Sequence, residues 1–191
     1  MASDNIEVEI KIPVSEMFFS SVKAVLKQKA KFAGVSNQTD EYFTLSNRDF
    51  VEPDYPFEWL SIRKRGNKAI LNYKHFHPEN VEITTHCDEY ESEVANPEMI
   101  KKMFSELNIK SLIVVNKKRE TYVFNDEFEI ALDEVAELGF FVEIEALKDF
   151  GGVSLTRQKL EEFAKQLGID HIDTDKRGYP YLLLEKKGLI K

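Results

Sequence analysis

From residue 7 to residue 12 the chain alternates strictly between charged and aliphatic positions. Glu7, Glu9 and Lys11 fall on one side of an extended strand, and Val8, Ile10 and Ile12 on the other. The same period-two pattern recurs downstream and predicts eight strands, at residues 6–12, 40–44, 59–65, 69–76, 86–94, 112–124, 127–133 and 140–146. Gly66-Asn67 and Asn125-Asp126 mark tight hairpin connections, and a longer link over 134–139 closes on Gly139. This is a meander of antiparallel strands rather than a βαβ series.

Apolar positions at helical spacing interrupt it. Phe18, Val22, Val25 and Leu26 predict a helix over 15–28, and Asn96 followed by Pro97 opens a second over 97–107. A third, over 154–167, stops at Gly168, and a short aromatic and leucine-rich segment follows at 179–184. Residues 47–57, with Pro53 and Pro56 among acids and aromatics, read as an irregular loop.

The charged strand faces carry the chemistry. Arg63 and Arg65 share a face with Trp59, and Lys74 shares one with Asn72. Glu89, Glu91 and Glu93 fall together, as do Lys117 with Arg119, Glu129 with Asp133, and Glu143 with Glu145. Opposite them lie runs such as Phe128, Ile130, Leu132 and Phe140, Val142, Ile144, apolar enough to require helices as cover. The greasy face therefore looks out to helices and the charged face looks in. Eight antiparallel strands suffice to close a barrel, and interior charges must then be met by one another, by water or by a ligand, because each buried unpaired costs several kcal/mol. A linear triphosphate with Mg²⁺ or Mn²⁺ meets both signs at once: carboxylates take the metal, lysine and arginine the phosphate oxygens. The alternative is an open sheet whose charged face lies in water, laced with ion pairs worth little each.

Composition narrows the field. The 191 residues suit one domain, and a formal charge of −8, with acids and bases interleaved, disfavours a nucleic-acid or anionic-membrane partner. One cysteine, Cys87, allows no internal disulfide and reads as a buried strand thiol. The acidic first eleven residues resemble no targeting peptide and the apolar runs are too short to cross a bilayer, so the expectation is a soluble, cytoplasmic protein. His75, His77, His86 and His171 have no metal-site spacing, and neither a phosphate-binding glycine loop nor a dinucleotide fingerprint is present.

In order, these residues resemble the CYTH superfamily of triphosphate tunnel metalloenzymes, which includes class IV adenylyl cyclases, thiamine triphosphatases and inorganic triphosphatases. Glu7-x-Glu9-x-Lys11 matches its signature. Asp40-Glu41-Tyr42-Phe43, Leu60-Ser61-Ile62-Arg63, Asn72-Tyr73-Lys74, Glu91-Ser92-Glu93, Lys117-Lys118-Arg119, Leu132-Asp133-Glu134-Val135 and Val142-Glu143-Ile144-Glu145 follow in the family's order. The resemblance implies an α+β fold: an eight-stranded antiparallel closed β-barrel, or tunnel, with a charged interior and helices outside, formed by residues 1–191 as a single domain. It places Glu7, Glu9, Asp133, Glu143 and Glu145 at Mg²⁺ or Mn²⁺. It makes Lys11, Arg63, Arg65, Lys74, Lys117 and Arg119 phosphate-binding, and it counts Glu7, Glu9 and Lys11 as catalytic. Ser61 departs from the pattern, because many members carry arginine there: either one phosphate contact is missing, or Arg65, two residues on from Arg63 and on the same strand face, substitutes for it. Trp59 resembles an aromatic that stacks on the organic part of thiamine triphosphate, although a core or rim tryptophan is the simpler reading. Residues 175–179 resemble a segment that closes one tunnel end, with Arg177 adding a phosphate contact.

The function this implies is a metal-dependent phosphohydrolase acting on a small-molecule triphosphate. A class IV adenylyl cyclase forming cyclic AMP and pyrophosphate is the alternative, and a non-catalytic triphosphate or nucleotide sensor the second alternative. A homodimer is compatible with all three.

Overall fold

A computed structural model describes residues 6–169 and 178–190. Its elements run β1 (Ile6–Glu7), β2 (Glu9–Val14), α1 (Glu16–Lys29), β3 (Lys31–Leu45), β4 (Glu58–Arg65), β5 (Lys68–His77), β6 (His86–Glu93), α2 (Pro97–Glu106), β7 (Ile109–Phe124), β8 (Phe128–Val135), β9 (Gly139–Ala146), α3 (Val153–Gln166) and α4 (Gly178–Lys186). The fold is α+β. Its strands hydrogen-bond in the order β1-β6-β5-β4-β3-β7-β8-β9-β2. The two ends of that order, β1 and β2, are successive stretches of one segment, so the order is that of a nearly closed antiparallel barrel. Nine strands replace the expected eight because the first is divided at Val8, which is buried.

The described chain divides into two compact units: residues 6–36 with 117–169, and residues 37–116 with 178–190. In the first, β2, β9, β8 and the C-terminal half of β7 pair antiparallel, with Ile10 opposite Ile144 and Ile144 opposite Ile130. That aliphatic face is covered by α1, through Val22 and Leu26, and by α3, through Leu160, Phe163 and Ala164. At roughly 1.5–3 kcal/mol for each fully buried large aliphatic, this cluster is the unit's main source of cohesion. Ser15 caps α1 by accepting from the Phe18 amide at 3.2 Å.

In the second unit β3, β4, β5 and β6 pair in sequence, antiparallel throughout. The β4–β5 hairpin turns on Gly66, whose φ of +62° is open to glycine at little cost. Asn96 caps α2 from the side chain, with Pro97 at the first helical position, and Phe104 of α2 meets Phe43 of β3 edge-on at 5.1 Å. Segment 179–184 lies within a helix, α4. Five of its residues, Tyr179, Pro180, Tyr181, Leu183 and Leu184, are buried, so no polar stripe betrays the helical period. Among the described residues no helix is long and apolar enough to cross a membrane.

Candidate functional site

The register of the first unit fixes which charges meet. Glu9 lies opposite Glu145 and Lys11 opposite Glu143 on β2–β9; Glu145 in turn lies opposite Glu129 on β8, and Asp133 opposite Arg119 on β7. One face thus collects Glu9, Lys11, Glu143, Glu145, Glu129, Asp133, Arg119 and Lys117, the face turned away from the helices. Its charges are threaded alternately. Lys11 Nζ lies 3.1 Å from Glu9 Oε1 and 3.0 Å from Glu143 Oε2. Arg119 Nη2 donates to Glu143 Oε1 at 2.8 Å and to Asp133 Oδ2 at 2.6 Å, while Arg119 Nε donates to Asp133 Oδ1 at 2.8 Å. Lys117 Nζ closes the series on Asp133 Oδ2 at 3.1 Å.

Asp133 is fully buried, and burial by itself would raise its pKa; Lys117 and Arg119 outweigh that and hold the carboxyl below its ordinary range. Glu129 is shifted the other way, raised by burial and by Glu143 against the pull of Arg119. The face as a whole is unbalanced. Among its described residues five carboxylates stand against three cations, and three of the carboxylates, Glu9, Glu145 and Glu129, form a single cross-strand row in which like charges repel.

The second unit carries its own charged face. Arg63 Nη1 donates to Glu89 Oε1 at 3.0 Å and to Glu91 Oε1 at 2.9 Å, and Asn72 Nδ2 donates to the same two oxygens at 2.6 and 3.1 Å. Lys74, the cross-strand neighbour of Trp59, lies 3.5 Å from Glu89. Arg65 grips Asp40 with both terminal nitrogens. Burial opposes the charge of Arg63, but Tyr42, Asp40, Glu89 and Glu91 together raise its pKa, so it stays cationic at every accessible pH. Arg63, Arg65 and Lys74 balance Asp40, Glu89 and Glu91 in number.

A model of the CYTH domain matches residues 5–179. The chain belongs to the CYTH family. Over 96% of its length it is 30% identical to a Methanocaldococcus jannaschii protein bearing the name "Putative adenylate cyclase", of which 99% is covered. A Pyrococcus horikoshii protein of solved structure is 31% identical, with a TM-score of 0.78 and coverage of 94% of this chain and 99% of that one. A Hippeastrum structure described as a "Putative adenylyl cyclase" with a dominant triphosphatase activity shares the fold at 20% identity and a TM-score of 0.65, covering 96% of each chain.

Seen as a CYTH domain, the chain has an all-oxygen acidic set that fits a divalent cation. Among the described residues no three acidic, histidine or cysteine side chains already converge as a ready-made cage, because the carboxylates of the first unit are spaced by Lys11, Arg119 and Lys117. Of the expected site residues, Glu9, Lys11, Lys117, Arg119, Asp133, Glu143 and Glu145 share the first unit's face, with Glu7 just ahead of it in the chain; Arg63, Arg65 and Lys74 share the second unit's. Arg177 lies outside the described residues.

Glu129 is the residue the expected set omits. Its alternation with Asp133 was visible, but only the β8–β9 register shows it directly opposite Glu145. The histidines are less scattered than their spacing implies: His75, His77 and His86 stack in series at 4.6 and 5.1 Å on the opposite face of β5 and β6, while His171 lies outside the described residues. Cys87 is buried, as expected.

Proposed function

We propose that this chain, taken as one domain across residues 1–191, is a divalent-metal-dependent phosphohydrolase acting on a triphosphate: inorganic triphosphate, thiamine triphosphate or a nucleoside triphosphate. The observation that carries the reading is that, among the described residues, one face of the first unit gathers five carboxylates beside three cations. Two surplus negative charges suit one divalent cation, and the paired lysines and arginine suit phosphate.

The residues proposed to hold Mg²⁺ or Mn²⁺ are Glu7, Glu9, Asp133, Glu143 and Glu145. When bound, the cation supplies neutralisation of the negative charge on the phosphoryl oxygens. Lys11, Lys117 and Arg119 bind phosphate by an exchange of partners: each turns from a carboxylate of this chain to a phosphate oxygen and leaves that carboxylate for the metal. Arg63, Arg65, Lys74 and Arg177 are proposed to bind phosphate as well. Fixed donors of this kind are worth most where negative charge grows during transfer, and water attacks the terminal phosphorus as its bond to the bridging oxygen breaks.

The name of the Methanocaldococcus jannaschii relative favours a second reading, a class IV adenylyl cyclase in which the ribose 3′-oxygen attacks the α-phosphorus and pyrophosphate leaves. Product analysis with ATP, thiamine triphosphate and inorganic triphosphate, each with Mg²⁺ and with Mn²⁺, separates the two. Orthophosphate supports the hydrolase; cyclic AMP with pyrophosphate supports the cyclase.

A further inference from the structure

Three buried polar groups on one face of β4 have no hydrogen-bond partner among the described residues: Trp59 Nε1, Ser61 Oγ and Arg63 Nε. They sit two residues apart, so their side chains emerge on the same side of the strand, the side that carries Arg65. Trp59 is 3% exposed and Ser61 not at all. An indole N–H can only donate, and a buried donor without an acceptor is costly, so two such groups beside a hydroxyl in one row call for acceptors from elsewhere.

The surroundings say which acceptors. Across the β4–β5 ladder Trp59 faces Lys74, Ser61 faces Asn72 and Arg63 faces Ile70. The row thus runs between the cations Arg63, on the same strand face, and Lys74, on the neighbouring strand, so an acceptor brought to it is favoured if it is anionic. The ring faces of Trp59 offer little to an organic group, because the residue is buried and packs edge-to-face against Tyr42, with centroids 5.8 Å apart at 82°.

We propose that Trp59 and Ser61 are phosphate-binding residues, the indole N–H and the hydroxyl each donating to a phosphate oxygen of the ligand that Arg63 and Lys74 hold. This rests on the triphosphate reading above and deepens it: Trp59 reads the phosphate chain through its edge, not an organic substituent through its face. The row lies closed to water while Arg63 is tied to Glu89 and Glu91 and Lys74 to Glu89. It opens when phosphate draws those cations off their carboxylates.

Trp59 is the chain's single tryptophan, so the indole N–H gives one resolvable proton resonance. The experiment follows that resonance in the full chain during titration with imidotriphosphate, a hydrolysis-resistant triphosphate, and with the corresponding imido analogue of ATP, each with Mg²⁺. Affinities are measured by calorimetry for the wild type, Trp59→Phe and Ser61→Ala. The expected result is a downfield shift with both ligands, a loss of roughly tenfold or more for Trp59→Phe that is equal for the two, and a loss of several-fold for Ser61→Ala. If Trp59→Phe does not fold, the wild-type resonance and Ser61→Ala decide. An unmoved resonance, or a Trp59→Phe loss confined to the adenosine-bearing ligand, overturns the assignment while leaving the triphosphate reading intact. Failure of the wild type to bind either ligand overturns both.

Discussion

Arg119 and Asp133 face each other across the β7–β8 ladder and are joined by two hydrogen bonds, Nε to Oδ1 at 2.8 Å and Nη2 to Oδ2 at 2.6 Å, with Asp133 fully buried. The same carboxylate takes Lys117, so one acid compensates two cations in the interior of the unit. Replacing it leaves both without their common partner. Asp133→Asn should destabilise the protein by about 3–5 kcal/mol in urea unfolding at neutral pH.

The pH dependence of that loss has a definite sign. A carboxyl held below its ordinary pKa contributes stability that is present in full above the unfolded value, about 4, and that disappears as pH falls through the folded value. The stability difference between wild type and Asp133→Asn should therefore shrink as pH is lowered below about 4. A difference that grows on acidification contradicts the assignment.

Arg63 and Lys64 are neighbours on β4 with opposite directions. Arg63 joins Glu89 and Glu91 on the charged face, whereas Lys64 reaches Glu98 of α2 at 3.5 Å from a half-exposed position. Loss of a charge-assisted donor to the reacting phosphate should cost about 3 kcal/mol of transition-state stabilisation, roughly a hundredfold in kcat/KM, for Arg63→Ala. Lys64→Ala should be nearly silent. Equal damage from the two, in proteins of equal stability, contradicts the face assignment.

Glu129 completes the like-charged row with Glu145 and Glu9. Removing its charge relieves repulsion in the metal-free protein, so Glu129→Gln should raise stability without metal by up to about 1 kcal/mol. It should also raise the Mg²⁺ concentration needed for activity. A variant less stable without metal, with unchanged Mg²⁺ dependence, removes Glu129 from the site.

Calcium tests how closely the cation must fit. Ca²⁺ accepts the same oxygen ligands with a larger radius and looser geometry, so it should compete with Mg²⁺ while supporting little turnover. Equal turnover in the two ions tells against a mechanism that depends on close positioning.

Much of this was legible in the alternation of charges. Period two placed Glu9 with Lys11, Lys117 with Arg119 and Glu143 with Glu145 because a half-apolar strand leaves no ambiguity of face. The start of β3 was not legible. It begins at Lys31, nine residues before the expected 40, and the stretch from there to Val35 contains Gly34 and mostly exposed side chains, so backbone pairing sustains it where side-chain pattern does not. Register was also hidden, since alternation gives the face but not the residue opposite. That is why the row of Glu9, Glu145 and Glu129, and the unpartnered donors of Trp59 and Ser61, became visible only in the structure.

Hydrolysis assisted by a divalent cation is seen without interference in inorganic triphosphate, which has no hydroxyl that could cyclise. Phosphorus NMR of the purified protein with inorganic triphosphate should show orthophosphate accumulating with Mg²⁺ or Mn²⁺, none after EDTA, and a fall of roughly a hundredfold in rate for Glu9→Gln. Orthophosphate that appears with neither metal from inorganic triphosphate, thiamine triphosphate or ATP, or release that persists at full rate in EDTA, rules out metal-assisted triphosphate hydrolysis.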